Sequence, residues 1–129
     1  MSGVVLDASA VLAVLLQEPG CEMVIAELDA AHLSAVNLGE VLSRLSDGSM
    51  PTGLALDEVL RLRPAIHAFN QAMAALVGDL RPGTKALGLS FGDRACLALA
   101  RTLGMPVLTS DRRLAEAATI TGLDIRLIR

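Results

Sequence analysis

A chain of 129 residues that is 53% hydrophobic is long enough to enclose one core and too apolar to be disordered. Aromatics make up only 2%, with no Trp or Tyr, which calls for an aliphatic core and argues against a base-stacking platform for single-stranded nucleic acid. The formal net charge of −3 removes any bulk electrostatic drive toward nucleic acid, without excluding a phosphodiester substrate.

Val4–Leu6 is a short apolar run ending in Asp7, followed by Ala and Leu at helical spacing, which predicts strand, turn and helix. The run from Val4 to Leu16 is like a signal-peptide core only superficially. Asp7 interrupts it and no basic residue precedes it, so neither export nor membrane insertion is expected. Pro19-Gly20 breaks the pattern, and Cys21–Leu28 is expected to form a second helix. His32–Ser34 reads as a short strand. Asn37 is then expected to cap a helix whose Leu38, Val41, Leu42 and Leu45 recur at i, i+3, i+4, i+7.

Gly48 to Gly53, with Pro51, marks a loop; Leu54–Leu60 reads as helical and Leu62–Ala65 as a third strand. Asn70–Leu80 is predicted helical, ending near Arg81-Pro82-Gly83. The strongest helix starts at Ser90 and is stopped by Gly104. Pro106–Thr109 follows as a buried strand, Arg112–Ala118 as a helix, and Ile125–Ile128 closes the sheet. Strands alternating with helices, with no linker or repeat, predict a single domain over residues 1–129. Its fold class is α/β, a three-layer α/β/α sandwich with a central parallel sheet of about five strands. In such folds ligands sit outside the carboxyl ends of the strands.

Four acids fall at strand-to-helix turns or early in helices, each with apolar neighbours: Asp7, Glu40, Asp93 and Asp111. Each has a structural explanation of its own. Asp7 is a good helix N-cap, although the turn after it is almost wholly apolar, with Ser9 the other polar group at hand. Glu40 lies off the apolar stripe and is placed to pair with Arg44 at i+4. Asp93 completes a capping box with Ser90, yet shares a helical face with Cys96, Leu97 and Ala100. Thr109-Ser110-Asp111 is an ordinary cap sequence.

Taken together, the four would crowd the rim of one aliphatic sheet. Two carboxylates about 4 Å apart repel by about 4 kcal/mol at an effective dielectric of about 20. Four require a cation, and oxygen-only ligands favour Mg²⁺ or Mn²⁺ over Zn²⁺. His32 and His67 neighbour none of the acids in sequence and read as structural. Cys21 and Cys96 stand in no metal-ligand spacing and fit free, packed thiols in a reducing cytoplasm. No serine sits in a nucleophile elbow and no Gly-rich phosphate loop is present.

The segments VVLDASAVLAVLLQEPG, SAVNLGEVLSRL and GLSFGDRACLALARTLGMPVLTSD, with the closing apolar strand, resemble the PIN-domain family. The resemblance is strongest to VapC-type ribonuclease toxins of bacterial toxin–antitoxin pairs. It implies an Mg²⁺-dependent endoribonuclease in which Asp7, Glu40, Asp93 and Asp111 form the acidic cluster. Asp7 and Asp93 would be the principal metal ligands, with Asp111 and Glu40 completing the set directly or through waters. Ser9, Asn37 and Thr109 match supporting positions. It further implies an RNA substrate (a tRNA or rRNA loop), an antitoxin occupying the active-site groove, and a homodimer, to which a mean hydropathy of +0.55 is also suited. After Asp111 many relatives carry an aromatic where Arg112, Arg113 and Leu114 stand here, so substrate contacts are expected to differ. Two other readings compete: an aspartyl-nucleophile phosphatase or phosphotransfer domain using Asp7, although Ser9 stands where a second acid is usual, and a non-catalytic module whose acids bind a partner's arginines.

Overall fold

The computed structural model describes residues 3–129. Five strands, β1 (Val4–Leu6), β2 (Ala31–Ser34), β3 (Ala65–His67), β4 (Val107–Thr109) and β5 (Ile125–Leu127), form one parallel sheet in the order β3-β2-β1-β4-β5. Alternation divides each central strand between two cores. Val4, Leu6, Leu33 and Leu108 face one, with Val11, Val41 and Val59; Val5 and Val107 face the other, with Leu80, Leu97 and Leu114. The sheet is therefore covered on both faces, as the predicted sandwich requires.

The helices are α1 (Ala8–Leu15), α2 (Cys21–Ile25), α3 (Ala35–Asp47), α4 (Thr52–Arg61), α5 (Gln71–Thr84), α6 (Phe91–Leu103), α7 (Arg112–Ala115) and α8 (Ala117–Thr121). None of those among the described residues is long and apolar enough to cross a membrane. The strongest expectation held closely: Ser90 caps α6 in a full capping box, and Gly104 ends it in the left-handed region at φ 66°.

Several expectations are corrected. Asn37 does not cap α3; the Ser34 hydroxyl accepts from Val36 N–H and starts the helix earlier, leaving Asn37 buried inside it. Strand β3 lies later than Leu62–Ala65, because Arg63 turns at φ 59° just ahead of Pro64 and delays extended pairing until Ala65. Helix α5 continues past Pro82 to Thr84. The carbonyl that the proline ring crowds belongs to Gly78, and the Thr84 hydroxyl donates to Leu80 O at 2.7 Å, closing the extra turn. The predicted second and last helices are also shorter than expected. A 3-10 turn at Leu28–Ala30 follows α2, and the 112–118 segment divides into α7 and α8 at Glu116.

The chain runs from β1 outward to β2 and β3, then returns to the other side of β1 for β4 and β5. The order reverses between β1 and β4, and a crevice opens at their carboxyl ends. Asp7 directly follows β1, and Asp111 lies two residues beyond β4.

Candidate active site

Asp7, Glu40, Asp93 and Asp111 line one cavity of about 310 Å³, with Ser9, Asn37 and Arg44. Four separate stretches of chain deliver the acids: the β1–α1 turn, the second turn of α3, the first turn of α6 and the β4–α7 turn. For three of the four the local structural explanation also holds: Asp7 and Asp111 cap helices, and Asp93 completes the capping box of α6. That capping is what holds them in position.

Asp7 is only 5% exposed. Its Oδ1 accepts from Ala10 N–H (2.9 Å) and the Ser9 hydroxyl (2.7 Å), and its Oδ2 accepts from the Thr109 hydroxyl. Burial pushes its pKa up to about 6. The Thr109 and Ser9 hydroxyls and the Ala10 amide hold it down in part, and the Asp93 charge raises it further. Ser110 N–H donates to Ser9 Oγ, and Asp111 N–H donates to Thr109 Oγ1, each at 2.9 Å. Ser9 and Thr109 thus stitch the end of β1 to the turn after β4.

The other three acids share a pattern. Glu40 Oε1 accepts from Asn37 Nδ2 at 2.7 Å, Asp93 Oδ2 from Ser90 N–H at 2.8 Å, and Asp111 Oδ1 from Arg113 N–H at 2.9 Å and Leu114 N–H at 3.4 Å. Each uses one oxygen for orientation and leaves the second without a donor among the described residues. Asn37 Nδ2 also donates to Gly92 O at 3.0 Å, so one amide group ties Glu40 and α3 to α6. Its Oδ1 is buried and accepts no hydrogen bond from any described residue.

As they stand, no three acid, imidazole or thiol groups among the described residues are drawn together tightly enough to enclose an ion. The carboxylates instead ring a space wide enough for a hydrated cation. The oxygens left without a donor fit a hard divalent ion that keeps several waters. No histidine or cysteine among the described residues lines the cavity. Burial pushes the Cys96 thiol well above its ordinary pKa, helped by the charges of Asp7, Asp93 and Glu40, so it stays protonated. The two histidines pair with each other, His32 Nδ1 lying 2.9 Å from His67 Nε2, and do not line the cavity.

Sequence reasoning missed Gly92. A Cβ there would collide with all three atoms of the Glu40 carboxyl group, so glycine is what lets Glu40 press against α6. The available signal was a glycine in the first turn of a strong helix, where it has no capping role. The expected Glu40–Arg44 pair does not form; Arg44 lines the cavity on its own.

The chain is an all-parallel α/β sheet with a carboxylate-lined crevice at its switch point. A family model described as the PIN domain matches residues 4–120, and the chain belongs to that family, whose members are generally nucleases. No curated protein matches it significantly. Among solved structures it is similar to DNA-bound VapBC from Salmonella typhimurium (18% identity, 100% of both chains, TM-score 0.77). A toxin–antitoxin complex from Klebsiella pneumoniae matches at 17% identity over 98% of both chains, with a TM-score of 0.74. VapBC-5 from Mycobacterium tuberculosis, a member of the VapBC family of toxin–antitoxin systems, matches at 20% identity over 100% of this chain and 99% of that one, with a TM-score of 0.62.

Proposed function

We propose that this protein is a divalent-metal-dependent endoribonuclease and the toxin of a toxin–antitoxin pair. The observation that carries the reading is the meeting of Asp7, Glu40, Asp93 and Asp111 around one cavity at the switch point of the sheet. Asp7, Asp93 and Asp111 would hold Mg²⁺, or Mn²⁺ in its place, with Glu40 completing the set directly or through water. When bound, the ion supplies a water of lowered pKa and offsets charge developing on the phosphorus oxygens.

The chain's own groups do the positioning. Ser9 and Thr109 orient the Asp7 carboxylate and lower the cost of its charge. Asn37 holds Glu40 Oε1 and leaves Oε2 without a donor among the described residues; Glu40 or Asp111, both lining the cavity, would take a proton from the attacking water. RNA as substrate, and a tRNA or rRNA loop as target, are supported by the family resemblance.

An antitoxin partner is supported by the structural neighbours, which include toxin–antitoxin complexes. Helices α1 and α3, which border the acidic cavity, also border an apolar recess lined by Leu15, Leu16, Leu45, Met50 and Leu54. Leu16 and Leu54 are half exposed there, and the apolar side of an antitoxin segment would cover them. Other exposed apolar residues, among them Ile25 and Ile120, suit a homodimer. The free cysteines suit a reducing cytoplasm.

The phosphatase reading is disfavoured by Asp7 itself. Both of its oxygens accept hydrogen bonds and almost none of it is exposed, which is a poor state for a nucleophile. The direct test is cleavage of structured RNA by purified protein with Mg²⁺, with EDTA, and in Asp7→Asn and Asp93→Asn. Cleavage only by wild type with metal is expected. Equal cleavage in EDTA, or in both variants, refutes the metal-nuclease reading.

A further inference from the structure

We propose that Arg44 is a phosphate clamp, gripping the RNA backbone beside the bond to be cut; this rests on the nuclease reading above. Helix α3 carries Arg44 one turn after Glu40, the order in which a helical ion pair is favourable. That pair is absent. The Asn37 amide holds Glu40 Oε1, and the Glu40 carboxyl group is pressed against Gly92. Arg44 forms no ion pair and no side-chain hydrogen bond with any described residue, in contrast to Arg61, Arg126 and Arg129.

Arg44 nevertheless lines the acidic cavity, and among the described residues it is the one cationic side chain that does. A cavity rimmed by four acids on a protein of net charge −3 repels a polyanion at every point except where a cation sits. A bound metal answers for the reacting phosphate alone. The planar guanidinium, unpaired among the described residues, presents two parallel N–H donors that match two oxygens of a neighbouring phosphate.

The test compares wild type, Arg44→Ala, Arg44→Lys and the charge-matched control Arg126→Ala, whose side chain is held by Asp124 on the far edge of the sheet. Cleavage of one ribo-oligonucleotide is followed in Mg²⁺ across a salt series. In parallel, binding of the same RNA to Asp7→Asn and to Asp7→Asn/Arg44→Ala is read by fluorescence anisotropy. Arg44→Ala is expected to raise KM about tenfold, the scale of one charge-assisted contact, with a smaller change in kcat. It should flatten the log–log salt dependence by about 0.7, the value of one single-strand phosphate contact. Lys should restore part of the loss, and the double variant should bind about tenfold more weakly than Asp7→Asn. If wild type cleaves while Arg44→Ala keeps the KM and salt slope of the Arg126 control, the clamp is overturned and the nuclease stands. If wild type does not cleave but the double variant still binds more weakly, the nuclease reading falls and the phosphate contact survives. RNA binding by neither protein overturns both. Unchanged RNA parameters with weakened binding of the cognate antitoxin reassign Arg44 to the partner and overturn the clamp.

Discussion

The Thr109 hydroxyl donates to Asp7 Oδ2 across 102 residues of sequence while accepting the Asp111 amide N–H at 2.9 Å. One side chain therefore sets the distance between the two acids that follow β1 and β4. It is fully buried, so water cannot replace it.

Thr109→Val keeps the shape and removes both roles. The Asp7 carboxylate loses its strongest donor, and the Asp111 amide is left without an acceptor. A loss of about 1–3 kcal/mol in urea unfolding is expected at neutral pH, together with a lower affinity for Mg²⁺. Thr109→Ser should restore most of both. Wild-type metal affinity in Thr109→Val would show that the hydroxyl does not position Asp7.

Asp7 also makes a definite pH prediction for the metal-free protein. Its folded pKa of about 6 lies above its ordinary 3.8, so the folded state holds a proton that the unfolded chain has released. Stability from this group is complete below pH 3.8 and declines as pH rises toward 6, by about 3 kcal/mol in total. Urea unfolding of wild type and Asp7→Asn, compared from pH 4 to 8, should show the variant gaining relative stability and then levelling above pH 6. Mg²⁺ should stabilise wild type much more at pH 8 than at pH 5, because only the charged carboxylate binds it well. A pH-independent difference between the two proteins would contradict the proposed burial cost.

Gly92→Ala separates folding from function. Alanine gains up to about 1 kcal/mol of helix propensity, and the group it strikes is the end of a flexible side chain that can swing aside. The melting temperature is expected to change little. Glu40, however, must leave its place beside Asn37 and Gly92 O, so RNA cleavage should fall by about 10²-fold, the scale of misplacing a general base. Retained activity would remove Glu40 from the proton-transfer role.

Legibility in the sequence followed range. Capping residues such as Ser90, Asp7 and Asp111 act on amides two or three residues away, and they were readable as caps. Asn37 was not. Its contacts run to Glu40 nearby and to Gly92, 55 residues on, and a polar residue before an apolar run looks like a cap whichever way its side chain turns. Pro82 was read as a stop because a ring in a helix usually is one, yet α5 runs two residues beyond it, to where the Thr84 hydroxyl donates to Leu80 O.

The sequence by itself determined the alternation of strands and helices, the aliphatic character of both cores, and which acids were too costly to leave at an apolar rim uncompensated. These follow from periodicity, capping and desolvation, which act within a few turns of chain. Only the tertiary structure decided that the strand order reverses between β1 and β4 and that Glu40 turns to Asn37 and Gly92 and away from Arg44. Those outcomes rest on side chains that meet across as many as 102 residues, and such meetings are chosen by the packing of the whole chain.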